Sequence, residues 1–251
     1  MRRLTLRLMR WVSWARGLCA ALLVFGAVCA FPQQCQAAIY NSWEGFSSSQ
    51  NPNGVWTYGR TDHPGSTTIV VYQDLGPIYD EHLGGWLTFW YDENHTNPWA
   101  RYMPCVYQVD AIAGQVHSLR FHPGWLPDAD YSVVRWTAPG AGTSDIWVTF
   151  TGADLGTKDV FVYYNGNLFD SADLALFESH SYSSPAIAVE AGDMIEFIVG
   201  NGGDDGWADS VTLDATVRWA PVPEPGTLIV WSLLGASAIS GGWWRRRKRA
   251  G

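Results

Sequence analysis

The chain has 251 residues and a formal net charge of −8, from 16 Lys and Arg against 24 Asp and Glu. Ten of the basic residues lie at the two ends of the chain, so residues 38–222 hold six bases against 23 acids and carry about −17. A segment this acidic excludes nucleic acid and other anionic polymers as partners, because binding them depends on clustered Lys and Arg, and it remains compatible with neutral glycans and divalent cations.

The N-terminus has the residue order of a secretory signal peptide. Basic residues without acids come first, an apolar run over residues 18–31 follows, and small residues end it at Cys35-Gln36-Ala37. We predict a signal peptide over residues 1–37, with cleavage after Ala37 or Ala38. A retained signal anchor is the alternative, which the length of the run allows and the small residues at its boundary disfavour.

The segment from 38 to 221 has the size of one domain with a hydrophobic core. In its first half, short strands separated by Gly, Pro and Asn clusters are predicted at 55–58, 67–72, 85–91 and 116–121. Its second half has clearer strands, rich in β-branched and aromatic residues, at 131–137, 146–150, 160–164, 187–189, 194–199 and 211–217.

These strands and the turns between them predict an all-β domain, a β-sandwich of the jelly-roll type. Asn165-Gly166 between two apolar runs predicts a hairpin, because both residues tolerate the positive φ of a type I′ turn. Residues 171–179 are the one segment compatible with a helix. Trp136 and Trp147 lie inside predicted strands, so we expect both in the core.

Three further tryptophans lie beside turn residues, where an aromatic face can stay exposed and stack on a sugar ring. They are Trp99, Trp125 and Trp207. The competing interpretation is ordinary packing, the usual role of large aromatic side chains in a sandwich.

A Gly-rich loop at 200–209 gathers three acids, Asp204, Asp205 and Asp209. Carboxylate oxygens are the ligands that Ca²⁺ prefers, so these residues are candidate calcium ligands. The loop lacks the later Glu of an EF-hand, and a solvated loop whose acids cap turns is the competing interpretation.

No motif for catalysis occurs in the segment. Its six histidines lack the close pairing of a zinc site, and there is no nucleophile elbow, phosphate loop or dinucleotide fingerprint. Removing the signal peptide leaves Cys105 as the one cysteine, which we expect to be a small buried apolar residue. We therefore predict that the protein is not an enzyme.

The C-terminus carries three features in order. Pro223-Glu224-Pro225 leads into an uncharged stretch, 226–244, long enough to span a bilayer, and a basic tail at 245–249 closes the chain with Arg245, Arg246 and Arg247 at its start. A cationic cluster after an apolar span stays on the cytoplasmic side, so the domain lies across the membrane.

Residues 222–251 resemble the PEP-CTERM sorting signal of Gram-negative bacteria that make exopolysaccharide. The resemblance implies cleavage near Pro223-Glu224-Pro225 by an exosortase-type membrane protease, an inner-membrane precursor, and a mature protein at the cell surface or in the extracellular matrix. A plain C-terminal membrane anchor is the alternative.

A second resemblance covers residues 121–217. His122-Pro123-Gly124, residues 134–139, the hairpin at 160–166, Ala191-Gly192-Asp193 and residues 199–202 are similar to the β-sandwich modules of PEP-CTERM surface proteins, which are similar to carbohydrate-binding jelly rolls. We predict a non-catalytic, exported domain that binds neutral polysaccharide. A glycan hydrolase or lyase on the same scaffold and a purely structural matrix or coat component are the alternatives.

Overall fold

The computed structural model describes residues 36–80, 85–95, 102–109, 118–125, 130–203 and 208–222, together with six residues between 230 and 238. Residues 1–35 of the predicted signal peptide and most of the predicted sorting segment, Pro223, Glu224, Pro225 and the arginines at 245–247 included, therefore lie outside the described residues. Among the residues that are described, no helix has both the length and the apolar character needed to cross a membrane.

The described residues form fifteen β-strands and one turn of 3₁₀ helix, Glu93–His95, and the six described residues between 230 and 238 are α-helical. The strand pairs among them are antiparallel. The strands are β1 Ala38–Asn41, β2 Trp56–Thr61, β3 Val70–Val71, β4 Asp74–Asp80, β5 Gly85–Tyr91, β6 Cys105–Val109, β7 Ser118–His122, β8 Tyr131–Thr137, β9 Gly142–Gly152, β10 Lys158–Tyr164, β11 Asn167–Leu174, β12 Ser179–Ser183, β13 Ile187–Val189, β14 Met194–Gly200 and β15 Val211–Pro221.

Two sheets are built from these strands. Sheet A has the order β12-β9-β15-β7-β6-β5-β4, with β1 added to β15 and β13 added to β9, and sheet B has the order β11-β10-β14-β8-β2-β3. The longest ladder joins β9 to β15 over eleven residues, from Gly142 paired with Pro221 to Gly152 paired with Val211. This ladder forms the rigid centre of one half of sheet A.

The main core lies between the sheets and draws residues from both. Val211, Leu213, Ala215 and Val217 alternate along β15 and are all buried, as a strand with one buried face requires. Trp136 of β8 is fully buried in the same cluster. The domain is thus an all-β sandwich, and the predictions for β15 and Trp136 are confirmed.

A second cluster lies on the other face of β5 and β6. Phe89 stacks on Tyr107 with ring centroids 4.4 Å apart, and Cys105 is buried beside them. Burial raises the pKa of the Cys105 thiol, which keeps it protonated and supports the prediction of a packing role. This part of sheet A is therefore buried on both faces.

The outer face of sheet B is also covered. Arg135 of β8 donates to the carbonyl oxygen of Thr67 at 2.9 Å and pairs with Glu196 of β14 at 2.5 Å, which ties segment 62–69 to this face. Burial raises the pKa of Glu196, and the Arg135 charge opposes that shift. Val133 and Ile198, which alternate with core residues on these strands, are fully buried here.

The second half of the domain matches the sequence-based strands most closely. The strands at 131–137 and 187–189 are confirmed at both ends, and the hairpin is confirmed by positive φ at Asn165 and Gly166. The helix considered at 171–179 is wrong, because residues up to Leu174 pair with β10 as strand β11. Pairing with a neighbouring strand outweighs a weak local preference for helix.

Candidate functional site

The outer face of β12, β9 and β15 carries polar side chains around one exposed aromatic residue. Along β9, Ile146, Val148 and Phe150 point into the core, while Trp147 points outward and is 46% exposed. The expectation that Trp147 lies in the core is therefore wrong. The sequence does contain a signal for the outward position of Trp147. This residue shares its strand phase with the polar residues Thr149 and Thr151, whereas the apolar residues Ile146, Val148 and Phe150 occupy the other phase.

A shallow groove of about 230 Å³ runs beside the Trp147 ring. The register places Ser183 of β12 and Thr216 of β15 on either side of Trp147, and it places Asp214 beside Thr149 in the next row. The groove is lined by Trp147, Val148, Thr149, Ser181, Tyr182, Ser183, Asp214 and Thr216. An apolar ring among hydroxyls and a carboxylate is a surface on which a sugar can bind.

Hydrogen bonds between strands fix the hydroxyl groups of this face. Thr149 Oγ1 and Ser181 Oγ lie 2.9 Å apart, and Asn41 Nδ2 of β1 donates to Thr216 Oγ1 at 3.3 Å. Each hydroxyl has one donor and two acceptor positions, so a hydroxyl in one such bond can still bond a ligand. The polar groups are thus oriented and remain able to bind.

The carboxylates of this face are far apart. Asp214 pairs with Thr149 of β9, and Asp145 lies four residues before Thr149 on the same strand. The two aspartates are therefore about 13 Å apart along the strand, and Asp145 lies 4.0 Å from Arg218. Glycosidases place their two carboxyl groups about 5 to 9.5 Å apart. Within the described part of the chain, this groove therefore lacks the carboxylate pair of such an enzyme.

Tyr182 lies under the groove, because it pairs with Val148 and its side chain therefore points to the inner face of the sheet. Burial raises the pKa of its hydroxyl, and the neighbouring Asp170 carboxylate adds to the effect, so Tyr182 is protonated at neutral pH. Its ring packs against the core and against Phe169, at a centroid distance of 6.5 Å. Tyr182 therefore anchors β12 to the core, while Ser181 and Ser183 on either side of it face the groove.

Of the three tryptophans predicted to stack on sugars, Trp125 is described, and it does not line this groove. Trp125 is half-buried and follows β7, which lies two strands away from β9 in sheet A. Trp99 and Trp207 lie outside the described residues. Their role in binding stays a prediction.

The candidate calcium ligands are described only in part, since Asp204 and Asp205 lie outside the described residues. Asp209 is fully buried, and its backbone N–H donates to Nε2 of the buried His122 at 3.2 Å. Across the described ranges, no group of three or more His, Cys, Asp or Glu is placed to hold a metal ion. Calcium binding by this loop stays a prediction.

Buried polar groups hold the base of the same loop. The ammonium group of Lys158 donates to the carbonyl oxygens of Asp154 and Gly156, and Ser210 N–H donates to the Asp154 carboxylate at 3.3 Å. Burial lowers the pKa of His122, and its Nδ1 lies 2.7 Å from the Pro123 carbonyl oxygen. His122 is therefore neutral, with Nδ1 donating and Nε2 accepting.

Comparison with known proteins gives structural similarity at low identity. No protein-family model matches the chain, and no curated protein matches it in sequence. Among solved structures, it is similar to CBM51-2 with INT domains of Clostridium perfringens ZmpB in complex with GlcNAc (17% identity, TM-score 0.32, 45% of this chain and 27% of that chain). It is also similar to the CBM36-1 domain of a multidomain xylanase from the hindgut metagenome of Trinervitermes trinervoides (12%, 0.29, 67% and 99%) and to a CBM36 module in complex with calcium and xylotriose (17%, 0.25, 43% and 84%).

The neighbours are carbohydrate-binding modules, and this chain spans about a quarter of the length of the first of them. TM-scores this low do not establish a shared fold or a shared ligand.

Proposed function

We propose that the protein is an exported, non-catalytic β-sandwich that binds neutral extracellular polysaccharide through the outer face of β12, β9 and β15. The observation that carries the proposal is Trp147, exposed beside a hydroxyl-lined groove on the outer face of sheet A.

Stacking on Trp147 supplies the favourable free energy in this proposal. One face of a pyranose ring is made of C–H groups, and it can cover the indole ring. Covering apolar surface is worth about 25 cal/mol per Å² removed from water. The hydroxyls of Thr149, Ser181 and Thr216 and the carboxylate of Asp214 can then bond to sugar hydroxyls at the edge of the ring.

The charge of the face favours a neutral ligand. Asp214 is exposed beside the groove, and the segment 38–222 has 23 acids against six bases. An anionic polysaccharide is repelled by this potential, and repulsion of that kind weakens as salt is added. A neutral glycan binds without the penalty, and its affinity depends little on ionic strength.

Delivery to the surface is the second part of the proposal and is supported by the sequence alone. The signal peptide at 1–37 exports the chain, and the PEP-CTERM-like segment at 222–251 holds a precursor in the inner membrane until an exosortase-type protease cleaves near Pro223-Glu224-Pro225. The jelly-roll form of the sandwich and a calcium ion at Asp204, Asp205 and Asp209 are likewise proposals.

Affinity electrophoresis tests the binding proposal. We expect the purified protein to be retarded in gels that contain hydroxyethyl cellulose, arabinoxylan or galactan, and not in gels with alginate. Trp147→Ala should remove the retardation, because it removes the stacking surface. Leu168→Ala changes an equally exposed apolar side chain on β11 of sheet B and should leave retardation unchanged. Wild-type protein that no neutral polysaccharide retards contradicts the proposal.

A further inference from the structure

Two rows of paired hydroxyls extend from Trp147 towards one end of the β9–β12 ladder. Thr149 Oγ1 and Ser181 Oγ lie 2.9 Å apart, and in the next row Thr151 Oγ1 and Ser179 Oγ lie 2.8 Å apart. The register of the two strands places all four residues on the outer face, in line with Trp147. We name these four residues the hydroxyl ladder.

A second exposed aromatic residue lies beyond the end of the hydroxyl ladder. Phe177 is 79% exposed and precedes β12 by two residues. Its φ is +61°, a left-handed conformation that is rare and costly for a bulky residue. The turn is nevertheless fixed, because Phe177 N–H donates to the Gly152 carbonyl oxygen at 2.9 Å and Gly152 N–H donates to Glu178 O at 2.9 Å.

A side-chain contact reinforces this turn. The Glu178 carboxylate accepts a hydrogen bond from the backbone N–H of Ala175 at 3.1 Å. Three hydrogen bonds thus hold Phe177 in a strained backbone conformation with its apolar ring exposed to water. A Gly or Asn at this position would adopt the same φ at lower cost. Such a combination is expected where the ring itself contacts a ligand.

The distance between the two aromatic residues sets the size of the ligand. Trp147 pairs with Ser183, and Phe177 precedes Ser183 by six residues, which corresponds to at most about 20 Å of extended chain. A single sugar ring on Trp147 does not reach Phe177. A linear chain of several sugar units lying along the strands does, and its hydroxyls meet the hydroxyl ladder on the way.

We propose that this face is an extended site for an internal stretch of a linear neutral polysaccharide, with Trp147 and Phe177 as stacking platforms at its two ends. The proposal rests on the proposed function and specifies its ligand: a chain of several units and not a terminal sugar. Two platforms that bind one chain add their free energies, so affinity must rise with the length of the glycan until both are covered.

Binding constants for glycans of different length test this proposal. With the full-length protein and two-unit and six-unit oligomers of β-1,4-glucan, β-1,4-xylan and β-1,4-galactan, the six-unit oligomer should bind at least about tenfold more tightly than the two-unit oligomer. Phe177→Ala should remove this gain and leave two-unit binding unchanged, whereas Phe177→Tyr should keep it. Leu155→Ala changes an 81% exposed apolar side chain in the loop after β9 and should have no effect.

The outcomes separate the two proposals. Equal affinity for short and long oligomers, or a length gain that survives Phe177→Ala, overturns the extended site and leaves sugar binding at Trp147 standing. Failure of every oligomer to bind contradicts the proposed function, and the extended site with it.

Discussion

Trp136 and Trp147 show how strand phase decides the role of a residue. Trp136 of β8 is fully buried between the sheets, whereas Trp147 of β9 is 46% exposed on the outer face. Both lie in strands that the sequence predicts, yet only Trp136 was assigned to its correct environment. A one-residue error in phase moves a side chain to the opposite face of a sheet, so strand prediction alone cannot assign an aromatic residue to the core.

Substitution by alanine should separate the two tryptophans. Trp136→Ala leaves a cavity in the core and should lower the free energy of unfolding by about 3–5 kcal/mol. Trp147→Ala removes no core contact and should change it by less than about 0.5 kcal/mol. Urea denaturation measures both values. Equal destabilisation by the two substitutions shows that Trp147 is a packing residue.

One edge of the sandwich, formed by β11 and β12, carries charged side chains. β11 is one of the two edge strands of sheet B and carries Asp170 and Asp173, and Asp170 lies 2.6 Å from His180 of β12, an edge strand of sheet A. Carboxylates on an edge strand disfavour pairing with a second copy, because like charges would meet across the new ladder. This arrangement disfavours the alternative of a self-assembling matrix protein.

Removing the edge charge should therefore promote self-association. We expect the wild-type protein to elute from size-exclusion chromatography as a monomer, and Asp173→Val to shift part of it to larger species. Ser171→Val, which adds a β-branched apolar residue to the same strand and keeps its charges, is the matched control. Wild-type protein that elutes as an oligomer reverses this conclusion and favours the structural role.

The Gly-rich loop at 200–209 is the proposed calcium site. If Asp204, Asp205 and Asp209 bind calcium, a chelator should lower the melting temperature, because an ion that binds only the folded state adds stability by mass action. Asp205→Asn should remove the response to calcium without disturbing Asp209, whose buried position makes its own replacement a poor probe. A melting temperature that is independent of free calcium shows that the loop is a solvated turn.

The sequence predicts the strands that are rich in β-branched residues or flanked by clear turn residues. It does not predict the strands that form because they pair with an adjacent strand. The hairpin at Asn165-Gly166 and strand β8 follow from turn chemistry and β-branched residues. Strands β1, β4, β6 and β12 were missed: β4 contains Pro77 and Gly76, and β12 alternates Ser with His and Tyr, so neither resembles an isolated strand. Their structure depends on pairing with β5 and β9, which a single sequence does not reveal.

In the whole molecule, the first and last strands of the β-sandwich lie side by side. Ala38, the first residue of β1, pairs with Trp219, two residues before β15 ends at Pro221. The predicted signal-peptide cleavage site and the Pro-Glu-Pro motif thus flank neighbouring strand ends. Thr216, the partner of Trp147, lies five residues before Pro221 on β15, which is about 17 Å along the strand.

The sorting proposal predicts a defect when its motif is changed. Glu224→Ala should leave full-length protein in the inner membrane, since the resemblance assigns Glu224 to the recognition motif of the protease. Val222→Ala, which changes an exposed residue just before the motif, should be processed normally. Immunoblots of membrane and surface fractions measure both. Normal shortening and release of the Glu224→Ala protein shows that the segment is an ordinary anchor.

The contribution of the aromatic ring at position 147 to glycan binding is measured directly by the dissociation constant for a retarding polysaccharide in wild-type, Trp147→Tyr and Trp147→Ala proteins. We expect Trp147→Tyr to keep most of the affinity, Trp147→Ala to lose about tenfold or more, and neither to change the free energy of unfolding appreciably. Unchanged affinity in a folded Trp147→Ala protein shows that the glycan does not bind at Trp147.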